Sequence, residues 1–109
     1  MIITFEQMKK IEADNRIPII DVRTRQETMG GMILFAVNIP LQELDAALDF
    51  DEAAFRQKYH REKFPKQCEL VFYCHSGGRS AVACAIALRK GYRAKNYAGS
   101  YAEWKSKNS

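Results

Sequence analysis

Glu69-Leu70-Val71-Phe72-Tyr73-Cys74-His75-Ser76-Gly77-Gly78-Arg79-Ser80 is the stretch that decides the fold. Its first five residues form a run of apolar and aromatic side chains, the pattern of a buried strand. Two adjacent glycines then break the run. The Ala-rich segment Ala81–Lys90 follows at helical composition and is closed by Gly91 as the residue after the helix. A strand that passes through a glycine loop directly into a helix is the unit from which parallel sheets are built. In such sheets ligands bind beyond the carboxyl ends of the strands, which is where Cys74 falls.

Working outward, the same alternation recurs. Thr4-Phe5-Glu6-Gln7 has the form of a capping box, and Phe5, Met8, Ile11 and Ala13 repeat at helical spacing, so a helix is expected over Phe5–Ala13. Ile17-Pro18-Ile19-Ile20 is a short strand ending at Asp21, Thr24–Met29 a short helix stopped by Gly30-Gly31, and Ala36-Val37-Asn38-Ile39 a second strand. Leu41 to Tyr59 is helical, broken near Asp49-Phe50-Asp51, with Asp51 as the second N-cap. Ala94–Tyr97 supplies a last strand. Ser100–Lys107 supplies a last helix, with Ser100 as cap and Glu103 completing a second capping box. The expected fold is α/β: a central, mainly parallel β-sheet of about five strands with helices on both faces, in one domain over 1–109.

Composition bounds what this domain does. The chain has 109 residues and 47% apolar content, enough for one core and far from a disordered composition. No window approaches the roughly 18 apolar residues of a membrane span, and the N-terminus has no secretory or transit signature, so no membrane partner and a cytoplasmic setting are expected, with the mitochondrion as second choice. Three cysteines, Cys68, Cys74 and Cys84, make neither a disulfide framework nor, with His60 and His75, a zinc pattern. No metal or organic cofactor is expected, and a monomer is. Met1 to Gly78 holds 10 basic and 12 acidic residues, whereas Arg79 to Ser109 holds 7 basic and 1 acidic. That late excess, with Arg89, Lys90, Arg93 and Lys95 close behind Arg79, suits the steering of small anions, or else a solvated face. No nucleic-acid recognition motif accompanies it, so no nucleic-acid partner is expected.

The chemistry belongs to Cys74–Ser80. Gly77-Gly78 lets successive N–H groups turn inward as a nest for an anion, and the helix start adds its dipole. The same field favours thiolate over thiol. Arg79 adds a permanent cation, and His75, Ser76 and Ser80 add donors. Cys74 is therefore the candidate nucleophile, and His75, Ser76, Gly77, Gly78, Arg79 and Ser80 are the candidate substrate-binding residues. Arg79 has two possible tasks: holding the anionic end of a substrate, or bracing the loop through Glu27 or Asp21. Cys84 is expected to be a small core residue, Trp104 a packing anchor, and Asp21 and Arg23 braces. A sulfur-transfer reagent, a phosphate ester or an arsenate would each suit this cup.

These residues resemble the single-domain rhodaneses, which are thiosulfate sulfurtransferases. Asp21-Val22-Arg23 with Glu27, Gly31, Ile33, Ala36 and Asn38-Ile39-Pro40 is similar to the family's "DVR…E…G-H-I…G-A-x-N-I-P" segment. Val71–Ser80 resembles its "YCxSGxRS" loop. Gly91-Tyr92 and Asn96–Trp104 resemble its "GY…NYxGSxxEW" ending. The departures are Thr28, Met32, Leu34 and Phe35, which stand where an aromatic, His, Pro and Gly are common; all lie before the second predicted strand. The resemblance implies a rhodanese-like fold and transfer of a sulfane sulfur through a Cys74 persulfide. The donor would be a small anion, thiosulfate or glutathione persulfide, and the acceptor a thiol such as glutathione or thioredoxin, or cyanide. The alternatives are a cysteine-dependent phosphatase or arsenate reductase on the same fold, and a non-catalytic binding module. The six-residue loop from Cys74 to Arg79 matches the sulfurtransferases, while the related phosphatases carry one more residue.

Overall fold

The computed structural model describes residues 1–108. Eleven elements alternate along it: β1 (Ile2–Ile3), α1 (Phe5–Asp14), β2 (Ile19–Asp21), α2 (Arg25–Thr28), β3 (Val37–Asn38), α3 (Leu41–Asp49), α4 (Glu52–Tyr59), β4 (Glu69–Tyr73), α5 (Gly78–Arg89), β5 (Arg93–Tyr97) and α6 (Ser100–Lys107). The five strands form one sheet in the order β1-β5-β4-β2-β3, and every pairing is parallel. The expected five-stranded α/β architecture is present.

The two-residue period of a strand sends neighbouring side chains to opposite faces. Ile20, Leu70, Phe72 and Ala94 enter one core with Leu44, Leu48, Phe55, Ala83 and Ala87 of α3, α4 and α5. Ile19, Val71, Tyr73 and Tyr97 enter the other with Met8 of α1, backed by Trp104 of α6. This double burial explains why the strands read as continuous apolar runs rather than alternating ones. Trp104 is the expected anchor, with ring centroids 5.5 Å from Phe5 and 6.3 Å from Tyr97.

Several local expectations are met in detail. Thr4 and Gln7 exchange both hydrogen bonds of a capping box, and Asp51 caps α4 by accepting from the Ala54 N–H at 2.8 Å. Three differ. β1 was not expected; its two residues pair with Asn96 and Tyr97 of β5, a long-range partner that local pattern does not reveal. α5 starts at Gly78 rather than Ala81, because Gly77 at φ +101 turns the chain and its carbonyl takes the first helical bond from Ala81. The Ser100–Glu103 capping box does not form. Ser100 stands at φ +58 with its hydroxyl turned inward to the Tyr97 carbonyl, and the Glu103 carboxylate accepts from the Tyr97 hydroxyl instead.

Candidate active site

β4 ends at Tyr73, so Cys74 leaves the sheet at its carboxyl edge, beneath the first turn of α5. The thiol is almost wholly covered, with Cys74 1% exposed. Three groups approach its sulfur: the Gly77 N–H at 3.0 Å, the Ser80 hydroxyl at 3.5 Å and the Ser100 hydroxyl at 3.9 Å. Burial opposes ionisation of the thiol. The Ser80 hydroxyl and the N–H groups of Ser80, Gly77 and Ser76 outweigh it and bring the Cys74 pKa down to about 7. The shift favours the thiolate, the form that acts as nucleophile.

The loop is gripped from behind by the start of α6. The Tyr101 N–H donates to the Cys74 carbonyl at 2.9 Å and the Ala102 N–H to the His75 carbonyl at 3.1 Å. Ser100 Oγ accepts from the Cys74 N–H at 3.1 Å. These bonds fix the backbone on both sides of the sulfur, and the left-handed conformation of Ser100 is what aims its hydroxyl there. Sequence reasoning cast Ser100 only as a helix cap. The signal for its role was its place in the closing Gly99-Ser100-Tyr101 motif, not its residue type.

Arg79 makes no hydrogen bond to the sulfur, although its charge acts on it. Its guanidinium makes a bidentate pair with Glu27, at 2.7 and 2.9 Å. Of the two tasks open to it, the geometry has the brace. Glu27 also accepts from the Thr24 N–H at 2.9 Å as part of the capping box of α2, so one carboxylate ties α2 to the active-site loop. Arg79 above all, then its own burial working the other way, then Thr24, set the Glu27 carboxyl at about 2.

Asp21 and Arg23, expected as braces, form a buried pair. Arg23 donates to both Asp21 oxygens, the shortest contact being 2.7 Å, and reaches the Gly31 carbonyl at 2.8 Å. Its guanidinium lies 4.2 Å from the Tyr101 ring. The segment before β3 is thereby fastened to the start of α6, beside the loop. His75, Ser76 and Gly78 are the exposed rim, while Ser80 is buried under the sulfur. Burial raises the Cys84 thiol to about 11, as suits an inert core residue, and also raises that of Cys68. Among the described residues no cluster of His, Cys, Asp or Glu could hold a metal, and no helix is long and apolar enough to cross a membrane.

A surface cleft of about 500 Å³ lies elsewhere, lined by Arg25, Phe35, Val37, Lys58, Tyr59 and neighbours. Its Arg25 and Lys58 are already paired with Glu43.

Known proteins share this fold. Residues 4–107 match the rhodanese-like domain family. The thiosulfate:glutathione sulfurtransferase of Homo sapiens is 40% identical over 109 residues, covering 98% of this chain and 95% of that protein. The rhodanese domain-containing protein CG4456 of Drosophila melanogaster is 42% identical over 106 residues, covering 95% and 96%. Among solved structures, the human single-domain sulfurtransferase TSTD1 superposes with a TM-score of 0.91 at 38% identity over 98% of this chain and 96% of its own.

Proposed function

The chain belongs to the rhodanese family and is a sulfurtransferase, and from that premise we propose that Cys74 carries the transferred sulfur, from thiosulfate to glutathione. The observation that carries the proposal is the Cys74 sulfur itself, held at 3.0 Å from the Gly77 N–H with its pKa lowered to about 7.

The Cys74 thiolate attacks the sulfane sulfur of thiosulfate. A bond forms from Sγ to that sulfur, the bond to the sulfonate sulfur breaks, and sulfite leaves with its electron pair. Cys74 then holds a persulfide whose outer sulfur bears the negative charge. The loop N–H groups and the rim at His75, Ser76 and Gly78 face that charge, as donors face an oxyanion. After the persulfide takes up a proton, a glutathione thiolate attacks the outer sulfur. Glutathione persulfide forms and Cys74 leaves as thiolate, ready for the next donor. Two half-reactions through a covalent intermediate give ping-pong kinetics.

Thiosulfate and glutathione are chosen because the human relative is named for them. The six-residue loop supports a sulfane sulfur rather than the larger phosphoryl group. Three free thiols, Cys68, Cys74 and Cys84, fit a reducing compartment, the cytoplasm being the proposed one. Ser80 and Arg79 act in this scheme as supports of the thiolate and of the loop, and His75, Ser76, Gly77 and Gly78 as the substrate-binding rim.

Intact mass measured after incubation with thiosulfate should show one added sulfur, lost on addition of glutathione and absent in Cys74→Ser. A Cys74→Ser variant with normal turnover would overturn the assignment, as would hydrolysis of an aryl phosphate without any persulfide.

A further inference from the structure

The peptide of Gly77 is joined to the sulfur at one end and to the sheet at the other. Its N–H donates to Cys74 Sγ at 3.0 Å. Its carbonyl accepts from the Ala81 N–H at 3.2 Å, the Ser80 hydroxyl at 3.2 Å and the Asn96 side-chain amide at 3.4 Å. A carbonyl oxygen has two lone pairs, so three donors are one more than it needs at a time.

Ser80 has one hydroxyl proton and two acceptors for it, the Gly77 carbonyl and the Cys74 sulfur at 3.5 Å. When Cys74 is a thiol, its S–H donates to Ser80 Oγ and the Ser80 proton stays on the carbonyl. When Cys74 is a thiolate, the sulfur has no proton to give, and the Ser80 hydroxyl must turn to it. The Gly77 carbonyl then loses a donor. With the Ala81 N–H and the Asn96 amide still on it, the carbonyl keeps two donors. Asn96 sits on β5, on the face it shares with Ala94, against α5, and is 7% exposed. Its side chain makes no other hydrogen bond among the described residues, and its Oδ1 is without a partner. Such a buried, half-used amide is costly to keep, which points to a task at this carbonyl.

We propose that Asn96 is a positioning residue for the Cys74 nucleophile, holding the Gly77 carbonyl so that the Ser80 hydroxyl is free to turn onto the sulfur. The inference rests on Cys74 being the nucleophile. The charged groups around the loop have partners of their own: Arg79 of α5, whose charge also acts on Cys74, pairs with Glu27 of α2, Arg23 pairs with Asp21 at the end of β2, Lys95 pairs with Glu69, and His75 stands on the rim. Removing the Asn96 amide changes none of those charges.

The test is the pH midpoint of Cys74 alkylation by iodoacetamide, in a Cys68→Ala, Cys84→Ala background. Asn96→Ala should raise the midpoint by about half to one unit, a roughly three- to ten-fold change in the ionisation constant. Ser80→Ala should raise it at least as far. The double variant should go no further than Ser80→Ala, because Asn96 acts through that hydroxyl. Asn96→Ser, too short to reach the carbonyl, should repeat the Asn96→Ala shift and serves if the alanine variant does not fold. An unchanged midpoint in the folded Asn96 variants, or full additivity with Ser80→Ala, overturns the proposal. Alkylation needs no sulfur donor, so this result stands apart from the persulfide test: a flat midpoint removes Asn96 alone, and a missing persulfide removes the proposed function.

Discussion

Gly77 and Gly78 are adjacent and look equivalent in sequence, yet the structure asks for only one of them. Gly77 lies at φ +101 and ψ −13, while Gly78 opens α5 with ordinary helical angles. A Cβ on Gly77 would stand 2.6 Å from the Ala98 carbonyl oxygen and 3.3 Å from two further Ala98 backbone atoms; a Cβ on Gly78 meets nothing within 4 Å. Ala98 has little room to retreat, since it joins β5 to the α6 start that holds the Cys74 and His75 carbonyls. Gly77→Ala therefore combines left-handed backbone strain of about 1–2 kcal/mol with an overlap of about 1–3 kcal/mol. At about 3 kcal/mol the loss in Tm is roughly 12–20 °C for a domain near this size.

The sulfur should register the same change. If the loop shifts to clear Ala98, the 3.0 Å bond from Gly77 N–H to Sγ is lost. A hydrogen bond to a charged group is worth about 1.5–3 kcal/mol, or roughly one to two pK units. From its value of about 7 the Cys74 midpoint would rise to about 8–9. The thiolate fraction at pH 7, and with it the alkylation rate, falls roughly 5- to 50-fold. Gly78→Ala should keep the midpoint and gain up to about 1 kcal/mol from helix propensity. Thermal melts and iodoacetamide pH profiles on the two variants decide the matter. If Gly77→Ala matches Gly78→Ala in both, the reasoning about the loop is wrong.

Three further substitutions probe the supports. Glu27→Gln removes the charge that holds Arg79, in a pair about one third exposed (37% and 35%), so solvent screening limits the loss to about 1 kcal/mol, read as Cm in urea. The folded Glu27 titrates near 2 against 4.5 unperturbed, so its contribution is complete above pH 4.5 and disappears as pH falls toward 2; the variant should lack that acid-side decline. Asp21→Ala strands the buried Arg23 and should cost about 3–5 kcal/mol, seen as a large drop in Tm. Phe35 sits at φ +69 and is half-exposed, so Phe35→Gly releases about 1–2 kcal/mol of strain that offsets the lost contacts. Its Tm should lie within about 3 °C of the parent, where an unstrained Phe would show a clear loss.

The fold was legible because both faces of the sheet are covered. Ile17–Ile20 and Glu69–Tyr73 carry the continuous apolar character that only doubly buried strands need, and Thr4, Asp51 and Gly91 mark element ends by local chemistry. β1 was not legible, since Ile2 and Ile3 become a strand only by pairing with β5 more than ninety residues away. Cys74 was legible because thiol, glycines and helix start are contiguous. Its partners were legible only in part. Glu27 was one of the two acids open to Arg79, and its carboxylate serves Thr24 and Arg79 together. Ser100 and Asn96 reach the loop from two other elements, and each carries an ordinary local explanation, a cap and a strand residue. The strained Phe35 falls where the family commonly has Gly, so the departure noted in sequence became a backbone conformation rather than a change at the thiol.

The late excess of positive charge suggested steering of anionic donors, and its partners now argue for a weaker effect. Arg79 is held by Glu27, Lys90 by Asp45 and Asp49 at 2.9 and 2.7 Å, Lys95 by Glu69 at 2.9 Å, and Lys107 by Glu103. Most of the cations after Gly78 thus face acids, largely from the first two thirds of the chain, and little unopposed field is left for a distant dianion. In the proposed scheme the hold on the donor is short-range, with the Gly77 N–H 3.0 Å from the sulfur at a helix start, where bulk salt screens poorly. The second-order rate for thiosulfate should therefore fall by less than about threefold between roughly 0.02 M and 0.5 M ionic strength, although the screening length shrinks several-fold over that range. A tenfold fall would show that the exposed cations Arg89 and Arg93 do recruit the donor, and the steering role read from their position in the sequence would be restored.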